Sequence, residues 1–161
     1  MLEFTIDFME GCRGKTLGLL DRVKQSADPA ATLAWRPGVG RAHIGWQLMH
    51  IAATEEKFAF GRLQQGELRN PDLYEAYGHG STPSDEPPTI EQIESYLVEA
   101  RGYVQAAIRS LDGQDLSEQP PQMADRGWCY ADALKLLVWH EGHHQGQGHI
   151  TMNLYEATPA S

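Results

Sequence analysis

The chemistry in this sequence is concentrated in one decapeptide, His140-Glu141-Gly142-His143-His144-Gln145-Gly146-Gln147-Gly148-His149. In a helix, His140 and His144 lie one turn apart and about 40° apart on one face. Two imidazoles so placed can grip one metal ion. The same face carries Ala133, Leu137, Gln147 and Thr151, so it is the core-facing stripe. Inward histidines without a partner would bury polar nitrogens at a cost, and a bound metal removes that cost. Gly142, Gly146 and Gly148 each disfavour a helix by about 0.5–1 kcal/mol relative to Ala. Such a conflict between propensity and pattern marks a functional or a tightly packed site. Close helix packing through Gly142 and Gly146 is the plainer reading.

The string also satisfies His-Glu-x-x-His, the helical zinc motif of metalloproteases, in which the Glu is a general base. Its context argues against that class. The extended motif needs Gly at 147 and His at 150, where this chain has Gln147 and Ile150, and Glu156 is the only acid after His144. A third ligand must come from upstream. His50, set among small and apolar residues in LMHIAATE, is the first candidate. His43 lies seven residues earlier on nearly the same face and is the rival, about 10 Å along the axis.

Four helical stretches must position these residues. The first covers about 3–26, with Phe4, Phe8, Cys12, Thr16, Leu19, Leu20 and Val23 at helical spacing. The second runs from about Arg41 to Gln65. The third begins at a Thr89–Gln92 capping box and carries an apolar stripe from Ile90 to Leu111. The fourth runs from near Cys129 to about Tyr155. No strand pattern competes. The segments 70–88 and 114–127 read as connections. The pattern predicts an all-α fold, a four-helix bundle filling one domain over 1–161. The first connection is long enough to cross the whole bundle, which allows an up-down-down-up order with a long crossover between the second and third helices.

Composition narrows the partners. Asp plus Glu number 22 against 13 Lys plus Arg, a formal charge of −9, which argues against nucleic acid or an anionic membrane as partner. The longest apolar run, Leu136 to Trp139, is too short to span a bilayer. Two cysteines fit a reducing compartment, and acids near the N-terminus replace the positive charge of a secretory signal. A cytoplasmic protein without membrane partners is expected.

His50 in LMHIAATE, the pair His140 and His144 in VWHEGHHQGQ, and the segment WRPGVGRAHIGWQLMHIA together resemble the DinB/YfiT-like superfamily of metal-binding four-helix bundles, over nearly the whole chain. The family's usual His-His-Arg-Gly-Gln reads His143-His144-Gln145-Gly146-Gln147 here, with Gln145 in place of Arg. The resemblance implies an up-down-down-up bundle and a homodimer. It implies His50, His140 and His144 as ligands of a divalent ion, Zn²⁺ or Ni²⁺. Characterised members include thiol-dependent transferases, so a low-molecular-weight thiol is an implied cosubstrate.

Three imidazoles leave a coordination position open, which is the catalytic pattern. Three functions follow as expectations. The first is a thiol S-transferase acting on a small-molecule electrophile. The second is a metal-dependent hydrolase using an ion-activated hydroxide with Glu141 as base, against an exposed helix charge as the plainer reading of Glu141. The third is a non-catalytic, metal-tied dimeric stress or binding protein. Trp35, Trp46 and Trp128 are candidates for a pocket mouth. Arg36, Arg41 and Arg126 are candidates for an anionic substrate group. His143 is expected at a neighbouring helix or dimer contact, and His79 and His149 at the surface. Cys12 reads as core filler, and Cys129, opening the fourth helix, as a minor candidate for thiol reactivity.

Overall fold

The computed structural model describes residues 1–158, so the last three residues of the expected domain lie outside it. The described residues form helices and no strands, an all-α fold. The order is α1 (Leu2–Gln25), α2 (Pro29–Ala34), α3 (Ile44–Glu56), a π-helical segment (Lys57–Leu63), α4 (Pro71–Tyr77), α5 (Ile90–Arg109), a 3₁₀ turn (Pro121–Arg126) and α6 (Tyr130–Ala157). No helix among them is long and apolar enough to cross a membrane.

Local chemistry sets the boundaries. Asp28 accepts the Ala31 N–H and Pro29 occupies the first turn of α2. At α5 both hydrogen bonds of the Thr89–Gln92 capping box are made. The second helical stretch differs from its expected extent. It starts at Ile44 and loses α-geometry after Glu56, where the ladder widens into the π-helical segment. The connection 70–88 also holds a short helix, α4.

The buried stripe of α1 matches the expected one from Thr16 to Val23 and departs from it before Thr16. Thr5, Ile6, Met9, Arg13, Thr16, Leu19, Leu20 and Val23 are buried. Phe4 and Phe8, at 72% and 46% exposure, face out, and Cys12 is half-buried. The cause is Arg13. Its three hydrogen bonds to other helices fix which face of α1 turns inward.

Packing directions can be read from named pairs. Arg13 meets Glu141, Leu19 lies against Gly148, and Arg22 reaches Asn153, so α1 and α6 run the same way. Gln47 meets Gln147 and His50 meets His140, so α3 runs against α6. Pro88 lies against Gly45, Tyr96 bonds Glu56 and Tyr103 packs on Phe60, so α3 and its π-helical extension run with α5.

Two apolar clusters make the core. One holds Leu19, Leu48, Ile51, Leu97 and Met152; the other holds Met9, Phe58, Val104, Ile108 and Leu137. Burial of each such side chain contributes about 1.5–3 kcal/mol. On each long helix a charged residue falls between the two clusters: Arg13, Glu55, Arg101 and Glu141.

Candidate metal centre

Every residue of α3 from Ile44 to Glu56 is buried, so its polar side chains must find partners inside the protein. Glu56 accepts from Asn70 N–H at 2.7 Å, Asn70 Nδ2 at 2.9 Å and Tyr96 O–H at 2.8 Å, tying the end of α3 to α4 and α5. Gln47 and His50 turn toward α6.

There His50, His140 and His144 converge, each offering a ring nitrogen within 4.8 Å of the others. His50 Nε2 and His140 Nε2 are 3.2 Å apart. Two nitrogens each about 2.0–2.1 Å from a tetrahedral ion would be about 3.3–3.4 Å apart. The tautomers suit the same purpose. His50 Nδ1 donates to the Tyr77 carbonyl at 2.6 Å and His144 Nδ1 donates to Gln47 Oε1 at 2.6 Å. Both rings therefore keep an Nε2 lone pair for the interior, with the other nitrogen anchored as in metal-ligating histidines. A proton or a metal ion must lie between His50 Nε2 and His140 Nε2.

Electrostatics keep the rings neutral, the form that ligates. Burial, with His144 and His50 next, pushes His140 down to about 2. Burial, with His50 and His143 next, pushes His144 down to about 3. Burial also lowers His50. The donor set fits a divalent ion of intermediate softness.

The polar shell around the cluster continues outward. Gln47 Nε2 donates to Gln147 Oε1 at 2.9 Å, and Gln147 Nε2 donates to His143 at 2.7 Å. Trp46 stacks flat on His50, with centroids 4.5 Å apart and planes at 10°. The cluster opens into a cavity of about 460 Å³, whose aromatic wall includes Trp46, Phe58, Tyr74, Trp128 and Trp139. That volume suits a small organic ligand.

Several expected roles change here. His43 is not a ligand but the N-cap of α3: its Nδ1 accepts the Trp46 N–H at 3.0 Å and its Nε2 donates to the Ser84 carbonyl at 3.2 Å. Burial, then the nearby Arg36, lowers its pKa. Glu141 is neither an exposed charge nor a base for the site. It is 2% exposed and points away from the histidines, accepting from Arg13 Nε at 2.7 Å, Thr16 O–H at 2.7 Å and Arg101. Glu55 completes this quartet, bonded by Arg13 at 2.9 Å and Arg101 at 2.6 Å. The quartet was missed because adjacent residues, His140 and Glu141, serve different faces of one helix.

The glycine reading is also corrected. A Cβ at Gly142 or Gly146 would meet nothing within 4 Å among the described residues, whereas one at Gly148 would lie 2.6 Å from Leu19 Cδ2. Close packing therefore belongs to Gly148. Trp46 and Trp128 line the cavity as expected, but Trp35 packs on Tyr155 instead. Arg126 lines it; Arg36 holds the carbonyls of Arg41, Pro83 and Ser84. His143 stacks on Trp139 and, with the exposed His79, edges the cavity. His149 is half-buried beside Arg22. The Cys129 thiol donates to Asp132 at 3.1 Å as part of the α6 cap. Lys57, Arg62 and Trp139 are further cavity residues; for Lys57 and Arg62 the cause is a π-helical turn that has no period in the sequence, while Trp139 lies on α6 beside His140.

The family model of the DinB superfamily matches residues 9–147, from α1 through Gln147 in α6. No curated protein and no solved structure gives a significant match.

Proposed function

The chain belongs to the DinB superfamily, and on that premise we propose that His50, His140 and His144 hold one divalent metal ion, Zn²⁺ or Ni²⁺, at which a low-molecular-weight thiol is transferred to a small electrophile. The observation that carries this reading is the convergence of three neutral imidazoles at the edge of an aromatic cavity, two of them with Nδ1 anchored outward. When bound, the ion would supply Lewis acidity that favours thiolate over thiol at neutral pH. The protein's own residues set the stage. The Tyr77 carbonyl and Gln47 orient two of the rings, Gln147 orients Gln47, and Trp46 holds His50 in plane. The aromatic wall receives the electrophile and excludes water around the sulfur. In the transfer the thiol's S–H proton passes to solvent, a sulfur–carbon bond forms and the electrophile's leaving group departs with its bonding pair.

The hydrolytic alternative loses its proposed base, since the Glu141 carboxylate is occupied by Arg13, Thr16 and Arg101. A purely structural metal tie between α3 and α6 has one observation in its favour, the His50–His140 approach across those helices. A homodimer belongs to the same overall reading and is supported by the exposed Phe4 and Phe8 on α1.

The deciding experiment assays conjugation of an electrophilic dye with a panel of cellular thiols, using metal-loaded and metal-stripped protein. The transferase reading expects activity only in the loaded form and its loss in His140→Ala. Equal rates in both forms would overturn it. A metal-dependent melting temperature without conjugation or hydrolysis would favour the structural tie.

A further inference from the structure

The chain is acidic, with 22 carboxylate residues against 13 cationic ones, yet the cavity beside the histidines reverses that balance. Lys57, Arg62 and Arg126 line it, and no Asp or Glu does. Arg62 is neutralised by Asp125, held at 2.8 and 3.3 Å. Lys57 and Arg126 have no carboxylate within ion-pair distance among the described residues. Each instead lies over a ring of the cavity wall. Lys57 Nζ is 5.3 Å from the Tyr74 centroid and the Arg126 guanidinium is 5.1 Å from that of Trp128. Such stacking orders a cation without cancelling its charge.

The backbone is also adapted to this wall. An α-helix would set positions 57 and 62 about 140° apart. The wider i→i+5 ladder of the π-helical segment turns position 62 back toward the face of position 57, and both line the same cavity. Unpaired surface cations are common, but these converge on the concavity that holds the histidines, in a protein whose charge predicts the opposite sign.

We propose that Lys57 and Arg126 receive an anionic group, a carboxylate or a phosphate, on the small molecule that occupies the cavity. This inference rests on the proposed function for the identity of the site, and it names the class of substrate the site selects.

The test uses matched probes differing only in charge. On zinc-loaded protein, calorimetry compares 3-mercaptopropionate and 2-mercaptoethylphosphonate with neutral 3-mercaptopropionamide. On metal-stripped protein, tryptophan fluorescence compares benzoate with benzamide. The anionic member of each pair is expected to bind about tenfold tighter, and whichever of carboxylate and phosphonate binds better names the natural group. The Lys57→Gln/Arg126→Gln double variant should lose about tenfold more affinity for the anions than for the amides and so erase the preference for acid over amide. Arg109→Gln, an exposed cation elsewhere, should change nothing. Equal affinity for acid and amide, or an equal loss in Arg109→Gln, would overturn the proposal. Two outcomes separate it from the thiol reading. If no thiol binds the loaded protein while benzoate still outcompetes benzamide, the thiol reading fails and the anion site stands. Should thiols bind regardless of charge, the reverse holds.

Discussion

His140 and Glu141 are consecutive residues of α6, and they belong to two buried polar clusters that are satisfied in opposite ways. Glu141 joins Arg13, Arg101 and Glu55, one buried charge from each of four helices and two of each sign, with the exposed Glu10 of α1 3.4 Å from Arg101 at the edge. The Arg13 donors end on Glu141, Glu55 and the Leu97 carbonyl, so its charge is spent inside the protein. His140 joins His50 and His144, where no carboxylate enters the group and the ring nitrogens face one another. The contrast teaches where function can reside. A closed ion-pair network between two apolar clusters aligns four helices, and little is left over to bind anything else. A convergent set of neutral bases beside a cavity offers donor atoms to the ion proposed for it.

The two clusters should respond differently to substitution, and the ion-pair network most strongly. Glu141→Gln leaves two buried guanidiniums facing too little negative charge, and breaking such a network typically destabilises by about 3–5 kcal/mol. Urea unfolding should show that loss, while the folded fraction still takes up metal with unchanged stoichiometry. Metal uptake lost with stability intact would mean that Glu141 belongs to the histidine site after all. Next, metal at about 100 times its dissociation constant should stabilise the wild type by about 2.7 kcal/mol. His140→Ala should abolish that increment in a thermal-shift titration. Gln47→Leu frees the His144 Nδ1 proton and should weaken metal affinity by about 10- to 100-fold, the usual consequence of losing an outer-sphere partner. Last, Gly142→Ala and Gly146→Ala should each stabilise by about 0.5–1 kcal/mol, because open space awaits the methyl group, while Gly148→Ala should destabilise against Leu19.

Acid separates the apo and loaded proteins further. His140 and His144 have folded pKa values of about 2 and about 3, below the ordinary unfolded value of about 6.5. Between those limits the unfolded chain binds more protons, so apo stability rises with pH and is lost as pH falls from about 6.5 toward 3. Loaded protein should resist the first part of that fall. A His140→Leu variant should show a shallower apo slope over pH 5–6.5 in denaturation curves.

The helices and the His140–His144 pair were legible because both rest on periodicity, whereas the family resemblance, not spacing, separates His50 from His43. Apolar residues at 3.6 spacing and a His-x-x-x-His pair have only one sensible projection. The inward face of the first half of α1 was not legible, since Phe4 and Phe8 look more like core than Arg13 does, and only the carboxylates of distant helices draw Arg13 inward. Glu141 was misread for the same reason: its partners, at positions 13, 16 and 101, leave no local trace. His43 shared a face with His50 but sits one residue before the helix, where an imidazole acts as a cap. The π-helical turn that brings Lys57 and Arg62 together depends on packing, not on any sequence period.

The proposed chemistry requires that the three imidazoles hold a metal. Elemental analysis of protein purified without an affinity tag measures this most directly, beside the His50→Ala/His140→Ala/His144→Ala variant. The predicted result is one divalent ion per chain in the wild type and none in the variant. A metal-free wild type under metal-replete growth, or a variant that keeps its ion, would contradict it.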